Sequence, residues 1–213
     1  MIRSVLVVAA IGAALLSAPT AGASDPEGGK VKAEAAGCKE CYGELGVSVD
    51  PIIPNLAGQN KIYLIKQLNE FRQSPSSRQL PMRRARRSDH IMDRQAELLS
   101  DADVANLAAW FTTLWCGSSG KETSVTPPKV IARCTSCHGP SGMSEEDTIP
   151  KLAGQKQSYL AKQLRLFRDS ARGPASEGAE SERFHPLMDS ETVSLKDPDI
   201  DALASYFAGQ SCW

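Results

Sequence analysis

The stretch Cys134-Thr135-Ser136-Cys137-His138 carries the most specific chemistry in this 213-residue chain. Two cysteines at i and i+3 present their thiols on one face of a short helix, and the next residue adds an imidazole. That spacing suits covalent attachment of haem c, with both thiols added to vinyl groups of one porphyrin and His138 facing the iron. A zinc half-site is the competing reading, but no second pair of ligands matches it. Cys38-Lys39-Glu40-Cys41-Tyr42 repeats the cysteines and puts a tyrosine where the histidine belongs.

The two motifs belong to an internal repeat. Pro54-Asn55-Leu56-Ala57-Gly58-Gln59 recurs as Pro150-Lys151-Leu152-Ala153-Gly154-Gln155, an offset of 96 residues (150 minus 54). The same offset relates Cys38 to Cys134, Tyr63 to Tyr159, Gln67 to Gln163, Phe71 to Phe167, Met92 to Met188 and Cys116 to Cys212. The halves align without a gap, so the chain reads as two copies of one small domain. The expected boundaries are 24–116, a Gly/Ser/Thr/Pro-rich linker at 117–128, and 129–213.

Residues 1–23 read as a secretory signal. Arg3 is its charged start, Val5 to Leu16 its apolar run, and Ala21-Gly22-Ala23 its small-residue cleavage site. The expected location is the periplasm. The formal net charge of −1 argues against a general nucleic-acid binder.

Each copy reads as three main helices with loops, an all-α class with little strand signal. Val31 to Tyr42 and Lys129 to His138 are expected to be helices that end at the cysteine pairs. Lys61 to Gln73, with Ile62, Ile65, Leu68 and Phe71 at helical spacing, recurs as Ser158 to Arg168. Ser100 caps the last helix of the first copy, and Asp197-Pro198 opens its counterpart with proline at the first position. Val104, Leu107, Ala108 and Phe111, echoed by Ile200, Leu203, Ala204 and Phe207, form the buried stripes.

An iron that only carries electrons needs a ligand on its second face. Met188 is the candidate in the second copy, because a soft thioether favours ferrous iron. Met92 repeats at the same position amid dissimilar loop sequence, which argues against a chance core methionine. The tandem CxxC units, PNLAGQ with PKLAGQ, YLIKQLNEFR with YLAKQLRLFR, and LSDADVANLAAWF together resemble the di-haem cytochromes c4 over nearly all of the mature chain. The resemblance implies two cytochrome c-like domains about a pseudo-twofold axis, in a periplasmic electron carrier. It also implies that the Pro150 carbonyl orients His138. The partners it implies are redox proteins such as a terminal oxidase or a quinol-oxidising complex; peripheral membrane association stays open.

Tyr42 departs from that pattern. One reading has haem on Cys38 and Cys41 with its iron five-coordinate or bound by the Tyr42 phenolate. A second has no haem there and a Cys38–Cys41 disulfide. A third, with little weight, brings in His90. Retained Met92 and PNLAGQ favour a second haem. The functional readings are a non-catalytic electron carrier, an enzyme or sensor using an open first haem, or the cytochrome subunit of a dehydrogenase.

Arg78, Arg83, Arg84, Arg86 and Arg87 precede Met92, whereas Glu177, Glu180 and Glu182 precede Met188. Two solvated loops are the favoured reading, and a molecule with a basic and an acidic end is the alternative. Cys116 and Cys212 belong to no haem motif. They are either simply buried or bridged, and equivalent positions meet only near a twofold axis.

Overall fold

The computed structural model describes residues 24–77, 86–117, 125–173 and 181–212. The expected signal segment and most of the expected linker lie outside these residues, as do Arg78, Arg83, Arg84, Glu177 and Glu180. The first half holds α1 (Pro26–Ala35), α2 (Lys39–Tyr42), α3 (Lys61–Ser77), β1 (Arg86–Asp89), α4 (His90–Glu97) and α5 (Asp101–Thr113). The second holds α6 (Ala132–His138), α7 (Gln157–Arg172), β2 (Ser181–Phe184), α8 (Pro186–Thr192) and α9 (Asp197–Ala208). No helix among the described residues is long and apolar enough to cross a membrane.

Several expected boundaries move, each for a local reason. The helix expected over 31–42 is broken in two. Gly37 adopts φ +67°. Its N–H bonds to the Glu34 carbonyl and that of Cys38 to the Ala33 carbonyl, which closes α1 as a Schellman turn. The helix expected from Lys129 starts at Ala132 instead, after a turn in which Ile131 N–H bonds to the Pro128 carbonyl. Pro198 occupies the second helical position of α9, because Lys196 is its N-cap. The short α4 and α8 were not expected. Neither were β1 and β2, whose sequences RRSD and SERF have no apolar alternation to reveal them.

Each half closes around its last helix. Val104, Leu107, Ala108 and Phe111 are buried with Leu64 and Leu99. Ile200, Leu203, Ala204 and Phe207 are buried with Leu160 and Leu195. On α3 the inward face is Leu64, Gln67 and Phe71; Ile62, expected inside, is 43% exposed. Ser100 caps α5 as expected and completes a capping box: its hydroxyl accepts from Asp103 N–H, and the Asp103 carboxylate accepts from Ser100 N–H.

The halves join through reciprocal contacts. Gln59 clamps the backbone of Lys151, donating to its carbonyl (2.9 Å) and accepting from its N–H (2.8 Å). Gln155 does the same to Asn55, at 2.9 and 2.8 Å. β1 and β2 pair antiparallel, with Arg87 opposite Arg183. Arg87 donates to Gln67 (2.6 Å) in its own half and to the Tyr159 hydroxyl (2.7 Å) in the other. Arg183 donates to Gln163 (2.9 Å) and to the Tyr63 hydroxyl (3.0 Å). The favoured reading of two solvated loops therefore fails for Arg87, which is packed at the domain interface and lies over the Phe71 ring. Cys116 and Cys212 are bridged, with alpha carbons 6.3 Å apart. Gly58 and Gly154 sit beside the bridge at φ +70° and +68°. A Cβ on Gly154 would meet Cys212 Sγ at 3.0 Å, so the bridge needs a residue without one.

Two outcomes follow for stability. Replacing Cys116 and Cys212 together by serine is expected to lower unfolding free energy by about 2–4 kcal/mol, read by denaturant titration against the oxidised parent. Ser100→Ala is expected to cost about 1 kcal/mol at neutral pH. Hydrogen bonds from the Ser100 side chain and backbone hold the Asp103 carboxyl below its ordinary range. Its stabilisation is present above the unfolded-state value of about 3.9 and is lost as pH falls through the lower folded value. The difference between Ser100→Ala and parent should therefore narrow in acid, measured by thermal unfolding from pH 7 down to pH 3.

Candidate functional site

The second-domain site is built on α6, the loop that follows it, and α8. Cys134 is half-buried against the second core, while Cys137 is exposed. Burial, with Glu191 adding to it, pushes the Cys134 thiol up to about 11. A protonated thiol is a poor nucleophile toward disulfides. Both CxxC pairs are free thiols in a molecule whose other two cysteines are bridged. The Cys38–Cys41 disulfide reading is therefore not what the structure contains. Free, paired thiols at this spacing fit thioether attachment of haem.

His138 is 6% exposed and is the last residue of α6. Its Nδ1 lies 2.9 Å from the Pro150 carbonyl, as the resemblance implied. A carbonyl can only accept, so Nδ1 carries the proton and Nε2 keeps its lone pair. Burial lowers the imidazole pKa, which keeps the ring neutral and able to ligate a metal. A buried neutral imidazole with one fixed nitrogen and one unused lone pair suits a haem iron.

Both methionines occupy the third position of a short helix, Met92 in α4 and Met188 in α8. An aspartate one residue on holds each helix start. Asp93 accepts from Asp89 N–H (3.2 Å), and Asp189 accepts from His185 N–H (3.1 Å). These aspartates were not singled out from sequence, although they obey the offset of 96. Arg87 and Arg183 obey it too and were likewise missed as a pair. His90 is exposed at the start of α4.

In the first domain the structure brings two expected site residues into direct contact. The Tyr42 hydroxyl donates to Met92 Sδ at 2.8 Å. Burial raises the phenol pKa well above the ordinary tyrosine value, so the group is a proton donor rather than a phenolate. The adjoining loop is fixed by Ser48, whose hydroxyl donates to the Cys41 carbonyl (2.9 Å).

Two helical domains, each with a CxxC helix facing a methionine-bearing turn, define a tandem c-type cytochrome. The family model described as "Cytochrome c" matches twice, over residues 27–115 and 128–211. The cytochrome c4 of Thiocapsa roseopersicina is 30% identical over 208 residues, covering 92% of this chain and 96% of that one. The solved structure of reduced recombinant cytochrome c4 from Pseudomonas stutzeri superposes with a TM-score of 0.68 at 30% identity, covering 89% of this chain and all of that one. A thiosulfate dehydrogenase electron acceptor from Stutzerimonas stutzeri (strain A1501) is 30% identical, covering 92% of this chain and 91% of that one. This chain belongs to the cytochrome c4 family, and like its relatives it is a haem-binding electron-transfer protein, not an enzyme.

Proposed function

We propose that the protein is exported after cleavage at residue 23 and carries single electrons between respiratory redox proteins in the periplasm. Its domains are 24–116 and 129–213, joined by a linker at 117–128. In the second domain Cys134 and Cys137 would hold haem c, and His138 and Met188 would ligate its iron. The observation that carries this reading is His138, buried with its Nδ1 proton fixed on the Pro150 carbonyl and, among the described residues, no hydrogen bond to its Nε2. When bound, the haem supplies a one-electron couple. The chain does the rest. Pro150 sets the imidazole tautomer and orientation. Met188 offers a soft thioether that favours the reduced state. With both His138 and Met188 bound to it, the iron would have no position left for a substrate.

In the first domain Cys38 and Cys41 are the matching attachment residues, and Tyr42 and Met92 stand at the matching axial positions. Redox proteins such as a terminal oxidase or a quinol-oxidising complex are the proposed partners. A second reading makes the protein the cytochrome partner of a dehydrogenase, which its likeness to a thiosulfate dehydrogenase electron acceptor favours. The two readings differ in the donor, so reduction by a purified dehydrogenase, measured against reduction by a quinol-oxidising complex, separates them.

Met188→Ala is expected to abolish the weak near-infrared band of methionine-ligated ferric haem and to lower the midpoint potential. Survival of that band in a protein without Met188 and Met92 would remove Met188 from the ligand set.

A further inference from the structure

The first domain retains both cysteines, Met92 and the PNLAGQ segment, but its axial pair is altered in a way that changes the geometry. A haem held by the two cysteines would need room between the residue after the second cysteine and the methionine. A first-row metal ion sits about 2.0–2.1 Å from a nitrogen or oxygen ligand and about 2.3 Å from sulfur. Two ligands on opposite faces therefore stand about 4 Å apart or more. In the first domain the Tyr42 hydroxyl is 2.8 Å from Met92 Sδ. A phenol is longer than an imidazole, and the Tyr42 hydroxyl meets the Met92 sulfur directly, at a separation too short to hold a metal ion between them. The first-domain axial residues do not fit an iron ligated from both faces.

The second domain differs at the matching atoms. His138 is turned to the Pro150 carbonyl, and among the described residues no hydrogen bond joins it to Met188. In the first domain Tyr42 makes no such bond to the Pro54 carbonyl; its hydroxyl is committed to the methionine.

We propose that Met92 is not an iron ligand in this protein but the acceptor of the Tyr42 hydroxyl, and that each chain holds one methionine-ligated haem iron, that of the second domain. This rests on the reading of the second-domain site given above. The functional consequence is a carrier that moves one electron per chain at the potential set by methionine ligation. The first domain then serves as the rigid half against which the second is clamped. Where the cysteines of the first domain also carry porphyrin, its iron lacks the thioether and works at a different potential.

The test counts methionine-ligated irons per chain in the purified mature protein. The readouts are the near-infrared band of the ferric form and the upfield methyl resonance of ligated methionine in the ferrous form, each scaled to protein concentration. The expected count is one. It stays at one in Met92→Ala and falls to zero in Met188→Ala. Tyr42→His, which shortens the side chain and restores an imidazole, is expected to raise it to two. A count of two in the parent, or a loss on Met92→Ala, overturns the proposal. A count of zero in the parent overturns the second-domain reading itself. A folded Tyr42→His protein that stays at one would show that the tyrosine hydroxyl is not what closes the site. Should Tyr42→His not fold, the parent and Met92→Ala counts decide alone. The count reads the same whether or not Cys38 and Cys41 carry porphyrin.

Discussion

In a repeat related by a twofold axis, a residue can touch its own equivalent only on that axis. Two pairs here do so. Cys116 is bridged to Cys212, its equivalent at a separation of 96. Arg87 lies opposite Arg183 in the strand pair, again its own equivalent. Two points fix a line, so the disulfide and the strand pair together set the axis, and other interface contacts follow in reciprocal pairs. The glutamine clamps show this most plainly: Gln59 grips Lys151, and Gln155 grips Asn55, the position equivalent to Lys151. A side-chain amide that both donates to and accepts from one backbone segment satisfies it as a strand neighbour would, which allows polar residues to be buried at the interface.

The strand pair on the axis carries an electrostatic problem. Like charges directly opposite in an antiparallel pair repel. The structure answers by giving each guanidinium its own ring face and its own phenol. Arg87 lies over Phe71 and donates to Tyr159; Arg183 lies over Phe167 and donates to Tyr63. Each cation thereby crosses to a phenol of the other domain, and the charge repelled by its neighbour is used to hold the halves together. Among the described residues neither arginine makes an ion pair, so the binding is by hydrogen bonds and ring faces rather than by opposite charge.

Much of this was legible in the sequence. The fixed offset exposed the duplication, the apolar stripes of α5 and α9 gave the two cores, and CTSCH with its equivalents marked the site. Equivalent cysteines in a chain expected to be exported suggested the bridge. What escaped had no periodic signature. RRSD and SERF become strands only because they meet each other across the axis. α4 and α8 are too short to show a face, and their starts depend on aspartates that bond backbone rather than on apolar spacing. Gly37 ended α1 early through a turn whose signal is one residue. Arg87 read as part of a solvated basic run because burial of a cation depends on tyrosine and phenylalanine side chains distant in the chain.

The contact between Tyr42 and Met92 was equally beyond sequence reasoning, which offered a five-coordinate or phenolate-ligated haem, no haem with a disulfide, or His90, and leaned to haem in the pocket. The 2.8 Å contact bears on the axial pair directly. A symmetric scaffold does not require symmetric chemistry, because the axis fixes backbone positions and leaves the side chain after the second cysteine free to differ. The imidazole at that position is turned to the Pro150 carbonyl, and among the described residues no hydrogen bond joins it to Met188. A phenol reaches the methionine and bonds it directly. The same two helix ends could therefore bracket an iron in one domain and close upon themselves in the other; among the described residues none of Gln59, Gln155, Arg87 or Arg183 hydrogen-bonds to either axial pair, although Arg87 lies near enough to Tyr42 to act on it electrostatically. On the proposed reading, a duplicated carrier tolerates the change at Tyr42 structurally, and the redox function of the other half would rest on His138, Met188 and the Pro150 carbonyl.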